Sequence, residues 1–330
     1  MSARKTLPQL WQEILALSAV REGERVVVLD SMGAGSPYRD LAIETARSCG
    51  ADVACVLVPD NSRLPEAAVP ALRGASLMID LIFHHDPRVY QFGRRDGLRT
   101  LVVLEPPEIL ARLMPDVEDK RRVKAAQACM GKAKRMRVTS PAGTDLSGEL
   151  GQFDVNCQYG FADEQGHWDQ WPGAFILSYM NEGTAEGKLV IDAGDMVFPY
   201  KEYVRTPITL RIERGFIRAI EGGVDAAYMR TVLEGQRDPD AFAVSHVGWG
   251  LTRNARWEAL GQYDKKSIEG QDGRGFYGNF LFSTGPNVSG GGTRAVPLHL
   301  DVPMRQCSVY LDERPMVLNG DVIPPEQRAA

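Results

Sequence analysis

Apolar positions along the first third of the chain follow two periods in turn. Leu7, Leu10, Trp11, Ile14 and Leu15 recur at three- and four-residue spacing, which predicts an amphipathic helix over about 7–20. Short, unbroken apolar runs follow at 26–29, 53–58, 77–82 and 101–104, separated by helical patterns. Continuous apolar strands alternating with helices predict a parallel sheet covered on both faces. From Glu105-Pro-Pro107 to about Arg135 the pattern reads as helical again. Its basic run, from Lys120 to Arg135, is interleaved with Asp116, Glu118 and Asp119 and reads as a solvated face.

Near residue 136 the pattern changes. The runs at 137–139, 188–191 and 208–212 are short and alternating, with Gly- and Asp-rich turns between them. One helix is expected at about 224–236, from Val224, Ala227, Tyr228, Thr231 and Val232. Glu213-Arg-Gly215-Phe joins two alternating runs and predicts a hairpin. The expected architecture is α/β. A Rossmann-like parallel-sheet domain spans 1–135, and a mixed, largely antiparallel α+β domain spans 136–330. No internal repeat or low-complexity segment interrupts either.

Composition narrows the function classes. A formal charge of −5 argues against a nucleic-acid partner, which demands a basic surface. The five cysteines form no C-x-x-C pair, which fits a reducing compartment and speaks against a zinc ribbon or disulfide scaffold. The N-terminal residues lack the apolar stretch of a signal peptide, and no run approaches a membrane span. A cytoplasmic location without membrane contact is therefore expected.

Candidate chemistry concentrates in the last third. His246, His299 and Asp301 can each ligate a divalent transition metal. A His-x-Asp pair on an extended segment projects both side chains to one face, and a further imidazole completes a two-histidine, one-carboxylate set suited to non-haem Fe(II). A hydrogen-bonded surface pair is the plainer alternative. Earlier, Asp30-Ser-Met-Gly33-Ala-Gly35-Ser36 resembles a phosphate-binding turn, but Tyr38 stands where G-x-G-x-x-G needs its third glycine, so an ordinary turn is expected. His84 and His85 end the third predicted strand, at the edge where parallel sheets bind ligands.

Several motifs resemble the 2,5-dihydroxypyridine 5,6-dioxygenases, and the likeness spans nearly the whole chain. They are Glu105-Pro-Pro-Glu-Ile-Leu-Ala-Arg112, Asp119-Lys-Arg-Arg-Val123, Tyr159-Gly-Phe-Ala-Asp-Glu164, Ser245-His-Val-Gly-Trp-Gly-Leu251, Phe276 to Asn287 and His299-Leu-Asp-Val-Pro303. The wider fold resembles aminopeptidase T-type metallopeptidases, through Ala142-Gly-Thr-Asp-Leu146. The resemblance implies Fe(II) on His246, His299 and Asp301, with O2 and a small aromatic N-heterocycle as substrates. It implies an acid–base role for His85, with His84 beside it as a substrate contact, and a substrate-contacting role for Arg274. Gln158 and Gln170 stand where the family carries a Glu and a His, which implies a pocket of altered charge. A homo-oligomer is expected.

Two rivals remain open at this point. A metallopeptidase on the same fold needs further carboxylates, for which Glu182 and Glu186 are available. A ligand-binding protein without catalysis needs no complete metal set.

Overall fold

The computed structural model describes residues 5–329. The chain forms two compact units, and both are discontinuous in sequence. The first runs to Lys120 and adds Gln158–Gly173 and Lys266–Glu269; the second comprises Arg121–Cys157, Ala174–Lys265 and the segment from Gly270 onward. The linear division at 135/136 thus differs from the observed one, in which the chain passes between units several times.

The first unit is built on a five-stranded, all-parallel sheet in the order Asp52–Val58, Arg25–Ser31, Leu77–Asp80, Arg99–Val103, Trp168–Trp171. Four of these strands are the apolar runs read from the sequence. The fifth escapes that reading because its core is polar: Asp169, fully buried, accepts the N–H groups of Tyr159 (2.9 Å), Gly160 (3.0 Å) and Gln170 (2.7 Å). A carboxylate so satisfied can sit in a buried strand that composition alone disqualifies.

Helix Leu7–Leu17 buries Leu10, Trp11, Ile14 and Leu15, the predicted face, and its entry is fixed where the Gln9 side chain accepts the Thr6 N–H at 2.8 Å. It stops three residues short of the expected end, and Ala19 already has φ of 54°. The third strand ends at Asp80 rather than 82. There the Asp80 carboxylate accepts the N–H groups of Ile82 (3.0 Å) and His84 (2.8 Å) and turns the chain. Burial pushes that carboxyl up to about 6, against the backbone hydrogen bonds that favour its charge. The 30–36 segment is an ordinary turn: its Ser36 N–H and the Arg39 Nε both donate to Asp30.

The expected long helix from 105 to 135 is two, Pro107–Arg112 and Val117–Met130, separated around Pro115, which can neither donate an N–H nor admit a helical residue before it. The solvated reading of its basic run is corrected at Arg122. That side chain is buried, donates from Nη1 to the Leu251 carbonyl at 2.9 Å, and lies 5.9 Å from the Tyr277 ring centroid.

Besides a two-stranded ribbon, Met196–Val197 with Glu202–Tyr203, the second unit holds two larger sheets. One has eight strands, in the order Phe216–Gly222, Ile208–Glu213, Glu186–Ile191, Asp145–Glu149, Arg135–Thr139, Ser308–Leu311, Arg314–Leu318, Asp321–Val322, all pairs antiparallel. The expected hairpin joins its first two strands, turning at Arg214 (φ 50°) and Gly215 (φ 79°), consecutive left-handed residues of the kind that match strand twist. The expected helix is observed at Val224–Gly235. The other sheet has the order Leu300–Met304, Phe280–Thr284, Val244–Gly250, Phe175–Tyr179, Asn156–Gln158. Its first four strands are antiparallel and almost wholly buried. This sheet carries the candidate site. No helix among the described residues is long and apolar enough to cross a membrane.

Candidate metal centre

His246 and Asp301 lie on strands that do not touch. Phe280–Thr284 runs between them, and adjacent strands are about 4.8 Å apart, so the two backbones stand roughly 10 Å apart across it. The middle strand presents Ser283 at this level, paired with Asp301. Its small side chain leaves the space above it to the longer neighbours. The pairing of Val244–Gly250 with this strand slips between Val244 and Val247, and the Ser283 hydroxyl donates to the His246 carbonyl at 2.8 Å. That irregularity re-aims His246, the usual effect of a bulge beside a functional site. His299 immediately precedes Leu300–Met304, and, as the i, i+2 spacing predicts, it faces the same way as Asp301.

The three side chains converge through one atom each. His246 Nε2 and His299 Nε2 are 3.0 Å apart, His299 Nε2 is 3.0 Å from Asp301 Oδ1, and His246 Nε2 is 3.3 Å from the same oxygen. Protons cannot serve this triangle. If one imidazole carries a hydrogen on Nε2, at least one of the three contacts brings lone pairs together; if both do, two N–H groups collide. A cation serves all three at once. Three mutually adjacent donors on an octahedron with bonds of about 2.1 Å are spaced about 3.0 Å apart, which matches the observed triangle. Among the described residues this is the one group of three or more potential ligand side chains brought together in this way. The residues present fit a divalent metal.

Electrostatics agree. Burial pushes the Asp301 carboxyl up, but the adjacent His299 imidazole, the Arg274 guanidinium and the His246 imidazole hold it well below the usual carboxylate range. Burial pushes His246 down, toward the neutral form that ligates. The Tyr179 ring stands edge-on to His246 at 6.0 Å, and its hydroxyl lies 2.6 Å from Ser289 Oγ. Neither Tyr179 nor Ser283 was legible as a site residue. The one available signal was the small polar Ser283 at the end of an aromatic and aliphatic run, Phe280-Leu-Phe282.

Arg274, expected at the substrate, directs Nε at Asp301 Oδ2, 2.7 Å away. The remaining expected residues belong to the first unit. His84 is buried, and its Nδ1 accepts the Asp86 N–H at 3.1 Å, so the hydrogen sits on Nε2, which has no protein partner. Burial pushes its pKa down. His85 is exposed, with its ring 5.0 Å from Phe83, which in turn lies 5.9 Å from Trp168. Gln170 Nε2 and Gln158 Oε1 are buried atoms without a protein partner. The carboxylates a second metal would need are engaged elsewhere: Glu182 holds Arg294 Nη1 and Asn287 Nδ2, both at 3.1 Å, and Glu186 accepts the Arg214 N–H at 2.8 Å.

Comparison with known proteins identifies the family. Residues 6–324 match the family model described as 2,5-dihydroxypyridine 5,6-dioxygenase. The chain is 42% identical to the 2,5-dihydroxypyridine 5,6-dioxygenase of Pseudomonas putida strain KT2440, over 98% of each protein. The solved structure of 2,5-dihydroxypyridine dioxygenase from the same strain superposes with a TM-score of 0.93 at 41% identity, covering 99% of this chain and all of that one. The aminopeptidase AmpT of Thermus thermophilus shares the fold alone, with a TM-score of 0.64 at 13% identity, over 97% of this chain and all of that one. With the metallopeptidase's extra carboxylates otherwise engaged and the likeness to the dioxygenases running from end to end, the chain belongs to the 2,5-dihydroxypyridine 5,6-dioxygenase family.

Proposed function

We propose that this chain opens the ring of a 2,5-dihydroxypyridine, or of a substituted relative, with O2 as oxidant and Fe(II) held by His246, His299 and Asp301. The observation that carries the proposal is the 3.0–3.3 Å triangle of two imidazole nitrogens and one carboxylate oxygen in a chain of this family. Fe(II), when bound, supplies a redox-active centre with open positions for triplet O2 and for the ring, chemistry that closed-shell side chains lack.

The chain's own residues prepare for this. Asp301 is ionised and His246 neutral near pH 7, so neither has to lose a proton to ligate. The two hydroxyls of the diol are para, so the ring cannot chelate as a catechol does, and protein groups must orient it. His85 takes the acid–base role, drawing the hydroxyl proton and returning it; imidazole is the side chain whose ordinary pKa suits that exchange. Gln158 and Gln170 bring a buried acceptor and a buried donor that a ring oxygen or substituent can satisfy, with the His84 Nε2–H as a further donor. Insertion of both oxygen atoms of O2 opens the bond beside the ring nitrogen and yields an N-formylmaleamate-type product.

A cytoplasmic, homo-oligomeric enzyme is part of the same proposal; its five cysteines, which form no C-x-x-C pair, support a reducing compartment. The test is anaerobic reconstitution with Fe(II), followed by a panel of hydroxylated pyridines in an oxygen electrode with mass spectrometry of the products. One O2 consumed per 2,5-diol, with both atoms in a ring-opened product, is the expected result. Hydrolysis of peptides, or no O2 uptake with any diol, overturns the proposal.

A further inference from the structure

Asp301 has two carboxylate oxygens, and they face different partners. Oδ1 points at the two imidazoles, whereas Oδ2 accepts the Arg274 Nε–H at 2.7 Å. The arginine is itself framed from several sides. Its guanidinium carbon lies 4.3 Å from the centroid of the Phe198 ring, a stacking contact that fixes the plane of the group. Phe198 and Asp301 are tied backbone to backbone: Phe198 N donates to Asp301 O at 2.8 Å, and Asp301 N to Phe198 O at 3.2 Å.

The turn that carries Arg274, Gln271–Arg274, rests on the same ring. Gly270 precedes it with φ of 97°, and a Cβ there would run into the edge of Phe198. On the other side the buried Asn279 side chain donates to the Gly273 and Arg274 carbonyls at 2.8 and 3.0 Å. Carboxylate, ring and guanidinium thus form one braced unit, with little freedom for Asp301 to rotate about its last torsion.

We infer that Arg274 is a positioning residue that fixes Asp301 as a one-oxygen metal ligand. With Oδ2 committed to the arginine, the carboxylate cannot close onto an ion through both oxygens. The coordination position that a bidentate carboxylate would fill stays open. For a centre that must take both O2 and a ring oxygen, that position is worth keeping. This is a different task from the ring contact expected from the family resemblance. It rests on the reading that His246, His299 and Asp301 hold the metal.

The experiment measures metal, not only turnover. Wild type, Arg274→Gln, Arg274→Lys and His299→Ala are titrated anaerobically with Fe(II) against a chelator, and each is loaded with Co(II) for its visible absorption. Loss of a group that orients a ligand typically weakens binding 10–100-fold. Arg274→Gln is therefore expected to bind Fe(II) on the order of 10–100-fold more weakly, with weaker Co(II) bands as Asp301 closes through both oxygens. Arg274→Lys keeps the charge without the flat fork and should recover part of the affinity but not the spectrum. Wild-type affinity and spectrum in Arg274→Gln, with only a raised KM, overturn the inference in favour of a ring contact. Tight stoichiometric binding in His299→Ala instead overturns the metal assignment beneath it. Should Arg274→Gln fail to fold, Phe198→Leu removes the ring under the guanidinium; a wild-type spectrum and affinity there refute the bracing argument equally.

Discussion

Metal-free protein holds His246 Nε2, His299 Nε2 and Asp301 Oδ1 within 3.0–3.3 Å of one another, with one contact that no proton can serve. An unsatisfied buried polar contact costs about 1–3 kcal/mol. His299→Ala removes one of the three atoms and leaves a His246–Asp301 pair that a single hydrogen satisfies. The His299 side chain is about a third exposed, so the space it vacates is open to water rather than an empty core cavity. The variant without metal should therefore melt at or above the metal-free wild type. The order reverses with metal. A ligand bound only by the folded state at a hundred times its Kd adds about 2.7 kcal/mol, which for a chain of this size is roughly 5 °C. Wild type should gain that shift with Fe(II) or Co(II), and the variant should gain almost none. Thermal melts of both proteins under argon, with and without metal, read the crossover directly. If metal raises the variant's melting temperature as much as the wild type's, the assignment of His299 as a ligand fails, and so does the claim that the triangle is shaped for a cation.

Three further outcomes follow from the same geometry. His85→Ala should keep its metal and lose turnover on the order of 10²–10⁴-fold, measured by O2 uptake; near-normal turnover would leave His85 a surface residue and make His84 the candidate. Gln158→Glu combined with Gln170→His should shift preference among substituted 2,5-diols, because the two buried amide atoms without partners would become ionisable groups. Unchanged kcat/KM ratios across the panel would show that the glutamines carry no specificity. Asp80, held at about 6 in the fold against about 3.9 when unfolded, keeps its proton longer in the folded state. Its contribution to stability is full below the unfolded value and is lost as pH rises toward 6. Urea midpoints of wild type should fall between pH 4 and 6 relative to Asp80→Asn; parallel profiles would refute the assignment.

How much of this was readable in advance depends on whether a single period or a single residue type decides the outcome. The helix at Leu7–Leu17, four parallel strands and the Gly215 hairpin each follow from local patterns. The His-x-Asp alternation at 299–301 needs only strand geometry. What stayed hidden depends on partners distant in sequence. Trp168–Trp171 is a core strand because Asp169 finds amides in Tyr159 and Gly160, and nothing in its composition announces that. Arg122 reads as solvated until the Leu251 carbonyl is seen beside it. The bearing of Ser283 on the site follows from the slipped pairing next to it, which no single strand encodes.

The fifth strand of the parallel sheet also governs the order in which the molecule can be made. Arg99–Val103 is buried along its whole length, and the strand that covers its far edge, Trp168–Trp171, is separated from it by more than sixty residues of chain, most of them belonging to the other unit. On the ribosome, the first four strands emerge with that apolar edge bare, and it stays bare until the second unit has begun to be synthesised. An open, largely apolar edge of this kind invites pairing with a neighbouring nascent chain. Arg99 offers a partial remedy. Its guanidinium donates to the Ser18 and Ala162 carbonyls and meets Glu24, so the N-terminal partners can hold one end of the strand before its neighbour arrives.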